Sequence, residues 1–277
     1  MSADREELYV LSDPQTVRQI RDPAGFAALA AMRAKKRNSF WIIVILFIVA
    51  AAVCLFQFTQ FGYLLSIPYR SAFTEIADHV YINRDHAGDR QEILALIEEA
   101  EKRVEAFFGE LRFSDETTFI ICDDEELTRK LGEDHGTVIF SVPSEKCCIC
   151  VSDEYFELDI LAHEITHAEL RARLSVKAQR QVPTWFDEGL ALQNDYRERY
   201  GEEQWIAQTD NGKNIVAIED MDTPAKFYAG EAENRRFRYL NAKHELDGWM
   251  AAHGQQGLLE LLETLNDGVD FHAAYGG

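Results

Sequence analysis

The sequence predicts an α+β fold in which a single N-terminal transmembrane helix is followed by a small mixed sheet and a mainly helical region. Three features indicate this order. Residues 40–56 are uniformly apolar, the middle of the chain carries short β-branched and apolar segments, and the last third shows helical periodicity. Strand segments followed by helical segments are typical of the α+β class.

The composition is that of a globular chain with an acidic excess. Its 277 residues are 47% hydrophobic, which is enough to bury a core in one or two domains. The formal net charge of −20, from 28 Lys and Arg against 48 Asp and Glu, argues against nucleic acid as a partner, because nucleic-acid binding requires a basic surface. The excess indicates a solvated acidic surface, adaptation to an acidic or salty exterior, or a site that selects basic substrates.

The predicted N-terminal organisation is a flexible cytoplasmic tail over 1–39, a transmembrane helix over 40–62 and a juxtamembrane linker over 63–78. The apolar run spans about 25 Å as a helix, and a few more residues extend it to the hydrocarbon core of about 30 Å. A buried soluble helix and a cleaved signal peptide are the alternatives. Basic residues precede the run but do not follow it closely. The sequence therefore predicts a single-pass cell-membrane protein whose remaining chain lies on the extracytoplasmic side.

The outer domain is predicted over 79–277. β-branched and apolar runs predict strands, and apolar positions with a period of about 3.6 residues predict amphipathic helices. The predicted strands cover 79–83, 117–122, 136–142 and 147–152. The predicted helices cover 90–109, 123–131, 154–172, 183–199, 233–252 and 255–265.

A metal-binding motif lies on the predicted helix 154–172. The residues His163, Glu164 and His167 form an H-E-x-x-H pattern. Residues one helical turn apart lie on the same face, so both imidazoles can reach one cation, while Glu164 is offset and can reach a water molecule on that cation. The pattern is short enough to arise by chance, in which case the histidines would be ordinary core or surface residues.

A third ligand is predicted on the following helix. A catalytic zinc ion takes three protein ligands and keeps a fourth position open. The segment W-F-D-E-G-L-A contains Glu188, and the polar stretch 171–181 can form the loop that turns the chain back toward His163. Pro183 stands where a helix can begin. Asp187 is interpreted as a carboxylate that favours the start of this helix.

The motif L-A-H-E-I-T-H followed by W-F-D-E-G-L-A resembles the gluzincin metallopeptidases, and more closely their peptidase MA-like branch, which has the thermolysin and aminopeptidase type of catalytic core. The resemblance implies a zincin-like metallopeptidase domain that acts on a peptide or protein substrate. It implies Zn²⁺ as the cofactor, with His163, His167 and Glu188 as ligands and Glu164 as general base. Tyr239, ahead of Gly254, resembles the residue that stabilises the oxyanion, and His244 is a competing candidate.

The sequence departs from the gluzincin pattern one turn after the third ligand, where an acidic residue that orients a histidine ligand is expected. That position holds Leu192, and the nearest polar substitutes are Asn194, Asp195 and Asp159. Two other functions stay open at this point. One is a catalytically silent zincin-fold protein that binds a partner at the membrane surface, and the other is a membrane-anchored hydrolase of a non-peptide substrate.

Four cysteines fall in the predicted outer domain, namely Cys122, Cys147, Cys148 and Cys150. Because the predicted location is extracytoplasmic, an even number indicates disulfides. Alternate residues of a strand face the same way, so Cys148 and Cys150 share one face and Cys147 lies on the other. We expect a bridge from Cys122 to a cysteine of that strand, with its pairing left open.

Overall fold

The computed structural model describes residues 27, 31, 40–49, 51, 59–113, 117–131, 138–141 and 147–276. The chain divides into two compact units, Met1–Thr59 and Gln60–Gly277. In the first unit, residues 40–49 are helical. Apart from Ala27 and Ala31, the predicted tail over 1–39 lies outside the described residues.

The prediction of a transmembrane helix as part of the fold is wrong for the described structure. Among the described residues, none of the helices combines the length and the apolar character needed to cross a membrane. The membrane location itself stays a prediction.

The second unit contains a five-stranded mixed sheet. The strands are β1 Phe73–Ala77, β2 Val80–Asn83, β3 Thr118–Cys122, β4 Val138–Ser141 and β5 Cys147–Ser152. Their order in the sheet is β1-β2-β3-β5-β4, with parallel pairing of β2 with β3 and of β3 with β5 and antiparallel pairing at both edges. The predicted α+β class is wrong, because β2 and β3 pair in parallel and are joined by a long helix, which makes the domain mixed α/β.

Ten helices are described in the second unit. They are α1 Gln60–Leu65, α2 Arg90–Phe108, α3 Glu125–Leu131, α4 Leu158–Arg173, α5 Val176–Gln179, α6 Thr184–Ala191, α7 Glu202–Thr209, α8 Pro224–Phe227, α9 Ala232–Asn266 and α10 Phe271–Tyr275. Short 3-10 turns cover Ile67–Tyr69, Asp153–Tyr155, Glu198–Tyr200 and Ile218–Asp220. Helix α9 contains a kink at Gly254, whose φ of 66° is compatible with glycine but costly for other residues.

Helix α4 occupies the centre of the domain. It packs against α2, α6 and the sheet strands β4 and β5, and its residues 160–170 are all buried. The buried Glu169 carboxylate is fully engaged, because it accepts hydrogen bonds from the backbone N–H groups of Arg112 and Phe113 at 2.7 and 2.8 Å and pairs with Arg173. A helix buried on all sides holds its side chains in fixed positions, which suits a rigid site.

Most predicted elements of the second unit are confirmed within a few residues, with three differences. The predicted helix 183–199 ends early, at Ala191. The predicted linker 63–78 contains strand β1 and is part of the second unit. The short helices α7, α8 and α10 have no predicted counterpart, and α8 leads directly into a residue of the site.

The predicted disulfide is not formed. Cys122 is a free, buried thiol. As predicted, Cys148 and Cys150 lie on one face of β5, in the apolar cluster that also holds Cys122, while Cys147 faces the main core. The strand register explains the free thiol, because Cys122 lies opposite Ser152 and Cys150 lies opposite Ile120.

Candidate metal centre

Helix α4 brings the two predicted histidine ligands together. The Nε2 atoms of His163 and His167 are 3.2 Å apart, and both side chains are buried. The one-turn spacing on a straight helix is sufficient to place both rings on the same face. Nearby, the hydroxyl of Thr166 donates to the carbonyl oxygen of Ala162 and accepts from Asn194 Nδ2, so it is engaged away from the metal ligands.

Helix α6 supplies the third predicted ligand. The buried Glu188 Oε2 atom lies 3.4 Å from His163 Nε2 and 3.5 Å from His167 Nε2. Pro183 is the N-cap of the helix, and the first turn is fixed when the backbone N–H groups of Thr184 and Trp185 donate to the segment 221–222. These bonds set the position of the helix and therefore that of the Glu188 carboxylate.

The three residues fit a metal ion without rearrangement. Bonds of about 2.0–2.2 Å in tetrahedral geometry place neighbouring ligand atoms about 3.3–3.6 Å apart. The three separations of 3.2, 3.4 and 3.5 Å match that spacing. Glu188 Oε2 is also buried without a hydrogen-bond partner among the described residues, which is costly unless a cation satisfies it. The cluster of His163, His167 and Glu188 can therefore hold a metal ion.

Asp187 orients one of the ligands. Its Oδ1 atom lies 2.5 Å from His167 Nδ1, and because a carboxylate only accepts, the proton resides on Nδ1 and the Nε2 lone pair faces the cluster. The interpretation of Asp187 as a helix-start carboxylate is therefore incomplete. Asp187 precedes Glu188 in sequence, and both side chains face the cluster because the first turns of α6 pack against α4.

The polar residues predicted to orient a histidine ligand either pair with other groups or lie beyond hydrogen-bond distance. Asp159 pairs with Arg103 at 2.5 Å, so it does not orient a ligand. The buried Asp195 carboxylate pairs with Arg197, and its Oδ2 atom is 3.6 Å from His163 Nδ1, slightly beyond hydrogen-bond distance. Asp195 is the carboxylate that the described structure brings nearest to His163 Nδ1.

Tyr228 is a site residue that the sequence analysis missed. Its hydroxyl donates a short hydrogen bond to Glu188 Oε1, which leaves Oε2 for a cation. Tyr228 directly follows α8, a four-residue helix that begins at Pro224 with a Thr223 cap. The T-P pair that starts this helix was the available signal, but nothing local indicates that the helix ends beside Glu188.

The buried charges of the cluster shift one another. Burial alone would raise the pKa of Glu188, but the charge of His167 and polar contacts with both imidazoles hold that pKa well below its usual range. Burial alone would lower the pKa of His167, but Asp187 and Glu188 raise it well above its usual value. Asp187 and Glu188 thus favour positive charge beside the Nε2 atoms of His163 and His167.

Glu164 and Tyr239 line the same cavity as the three ligands, a space of about 860 Å³. Burial raises the pKa of Glu164, with the histidines opposing and Glu188 adding to the shift. Burial also raises the pKa of Tyr239 well above its usual value, followed by the charge of Glu188. The competing candidate His244 stacks on Trp205 with ring centroids 3.4 Å apart and does not line the cavity.

Comparison with models of known protein families and with curated proteins finds no match to this chain. The candidate metal centre rests on the positions of His163, His167 and Glu188 in the described structure.

Proposed function

We propose that this chain is a zinc-dependent metallopeptidase that hydrolyses peptide bonds of a peptide or protein substrate. The observation that carries the proposal is the spacing of the three ligand atoms, 3.2 to 3.5 Å apart, beside a buried Glu164 in an open cavity. Two histidines and one glutamate with an open fourth position are the ligand set of catalytic zinc in peptidases. Zinc in such a site lowers the pKa of a bound water molecule toward neutrality and polarises a carbonyl group.

Glu164 is the proposed general base. Its side chain is buried next to the ligands, and it lines the cavity that a substrate would enter. In this role the carboxylate accepts the proton of the attacking water molecule and then donates it to the amine that leaves. Its position one residue after His163 keeps it close to the ligands without making it one of them.

Tyr239 is the proposed donor to the developing oxyanion. Its ring is held between Tyr200 and Phe227, with centroids 5.8 and 5.0 Å away. Its hydroxyl remains protonated at neutral pH, since burial raises the pKa. A neutral phenol can donate a hydrogen bond to the carbonyl oxygen as negative charge develops there.

Hydrolysis of fluorogenic peptides by the purified full chain tests the proposal. We expect activity that a zinc chelator abolishes and added zinc restores. Glu164→Gln should retain zinc and lose about 100- to 10,000-fold in kcat, the usual contribution of general acid–base catalysis. Glu154→Gln is the matched control, because Glu154 is exposed and lies just before the same helix.

Two outcomes would count against the proposal. Full activity in Glu164→Gln would show that Glu164 is not the base. Stoichiometric zinc with no hydrolysis across a diverse peptide library would favour the alternative of a catalytically silent zincin-fold protein that binds a partner.

A further inference from the structure

The cavity at the metal centre is rich in arginine although the chain is acidic. Its lining includes Arg171, Arg197, Arg199, Arg235 and Arg236. The whole chain has 48 acidic against 28 basic residues, so this concentration of positive charge runs against the composition. The cavity carboxylates are Glu188, a proposed ligand, Asp187, which contacts His167, and Glu164, the proposed base, which also feels the charge of Arg171.

One of the five arginines is already neutralised. Arg197 donates to the buried Asp195 carboxylate through Nε at 2.8 Å and also through Nη2. The other four, Arg171, Arg199, Arg235 and Arg236, form the arginine cluster. Within the described part of the chain, no member of this cluster has a carboxylate within ion-pair distance.

Arg236 carries a buried donor that is unused within the described part of the chain. Its Nε atom is buried and has no hydrogen-bond partner among the described residues. Its Nη2 atom makes only a long contact of 3.5 Å with the carbonyl oxygen of Arg199. An unsatisfied guanidinium donor away from water is costly, and a bound anion removes that cost.

The cluster is positioned around the proposed reaction centre. Arg171 lies one helical turn after His167 on α4, so it continues the face that carries the ligands. Arg235 lies one turn before Tyr239 on α9. The guanidinium of Arg199 lies 4.9 Å from the ring centre of Tyr200, which in turn packs on Tyr239.

We propose that the arginine cluster binds carboxylates of the substrate, so that this site selects acidic peptides. The inference rests on the proposed peptidase function and names its substrate class. Guanidinium groups pair with carboxylates through two parallel hydrogen bonds, which gives both affinity and orientation. The shared chemistry is a carboxylate, supplied either by Glu and Asp side chains or by a free peptide C-terminus.

Peptide binding to the zinc-loaded Glu164→Gln chain tests this without turnover. Three fluorescently labelled peptides share one scaffold: a neutral Gln peptide with blocked ends, a Glu-for-Gln version, and the neutral version with a free C-terminus. We expect one or both carboxylate peptides to bind about tenfold tighter or more than the blocked neutral peptide, with the difference shrinking as salt rises. Which of the two binds tighter identifies the source of the carboxylate.

Substitutions locate the effect. Adding Arg199→Gln, Arg235→Gln and Arg236→Gln together should reduce the ratio of acidic to neutral affinity toward one, and adding Arg171→Gln alone should reduce it in part. Arg90→Gln is the matched control, because Arg90 is exposed and lies outside the cavity. Circular dichroism checks that each variant is folded. If the triple variant is not folded, the three single variants are compared with the parent chain instead.

The outcomes separate this inference from the proposed function. Equal binding of neutral and acidic peptides, or a preference that survives the triple substitution, overturns the inference. A phosphoserine peptide that binds far tighter than the Glu peptide also overturns it, in favour of phosphate. Cleavage of peptides without acidic preference leaves the peptidase function intact, whereas acidic preference without any cleavage removes that function and retains the binding class.

Discussion

At the scale of single residues, Asp187 is expected to strengthen metal binding without touching the metal. It accepts from Nδ1 of His167 at 2.5 Å and so fixes the tautomer of that ligand. Asp187→Asn should weaken zinc affinity by about 10- to 100-fold, the usual effect of losing such a partner. Competition with a chromophoric zinc chelator measures the change. Asp220→Asn, at an exposed position, is the control, and unchanged affinity in Asp187→Asn would contradict this role.

Two tyrosines of the cavity are expected to behave differently. Tyr228→Phe removes the hydrogen bond to Glu188 Oε1 and should weaken zinc binding. Tyr239→Phe should keep zinc and lower kcat by about 100-fold with little change in KM, as expected for a donor used in the transition state. Zinc content and steady-state kinetics of both variants separate the roles. If Tyr228→Phe lowered kcat and Tyr239→Phe weakened zinc binding, the roles assigned to the two tyrosines would be reversed.

The cluster of candidate ligands could be predicted from sequence because the spacing of its two histidines is local. His163 and His167 share a helical face by periodicity alone, and Glu188 lies in a distinctive frame on the next helix. Tyr228 could not be predicted, since its contact with Glu188 depends on where the short helix α8 ends. Asp187 was identified in the sequence, but the sequence does not show that the first residues of α6 face His167.

At the scale of elements, the approach of α6 to α9 depends on Gly189. A Cβ atom at this position would lie 2.7 Å from the backbone oxygen of Ala242, so Gly189→Ala must push the two helices apart. We expect a loss of about 1–3 kcal/mol in the free energy of unfolding, with weakened zinc binding because Glu188 is adjacent. Denaturant unfolding with and without zinc measures both effects.

Gly248 provides the matched control for this substitution. It lies within α9, and nothing stands within 4 Å of the position of its Cβ. Gly248→Ala should be neutral or stabilise by up to about 1 kcal/mol, because alanine favours the helix. Equal destabilisation by both substitutions would show that helix propensity, and not the close approach of the helices, sets the effect.

The elements that sequence analysis located best were long or strongly patterned. The period of apolar residues placed α2, observed as Arg90–Phe108, and the β-branched run placed β3, observed as Thr118–Cys122. The predicted helix from 183 was too long, since α6 stops at Ala191 where the following residues turn back. Strand β1 was not predicted, because its run of apolar residues is short and its strand conformation depends on pairing with β2.

At the scale of the whole molecule, buried thiols should make stability fall at alkaline pH. Burial raises the pKa of Cys147 from 9.0 to about 12 and that of Cys148 from 9.0 to about 11. Above pH 9.0 the unfolded chain therefore loses these protons before the folded chain does. Each thiol should lower the free energy of unfolding by about 1.4 kcal/mol per pH unit between its two values.

Unfolding by urea at several pH values between 8 and about 10.5 measures this slope. Cys148→Ala should be less stable at pH 8 because it leaves a small cavity, but its stability should decline less steeply with pH than that of the wild type. A decline of the same steepness in both proteins would show that Cys148 does not ionise on unfolding in this range.

Whole-molecule composition describes the surface but not the site. The net charge of −20 allowed a preference for basic substrates, whereas the cavity beside the metal centre is lined by arginines. Charge averaged over the chain cannot reveal this, because Arg171 comes from α4 while Arg235 and Arg236 come from α9, far away in sequence. Only the packing of the helices brings them together.

Zinc content of the purified full chain and its single variants tests directly whether His163, His167 and Glu188 bind a zinc ion. Mass spectrometry of the metal should give one zinc ion per chain in the wild type and in Glu164→Gln. It should give almost none in His163→Ala, His167→Ala or Glu188→Ala, because each removes one of the three ligand atoms that lie 3.2 to 3.5 Å apart. Full zinc content in any one of these three folded variants, or no zinc in the wild type, would show that the three residues do not form a zinc site.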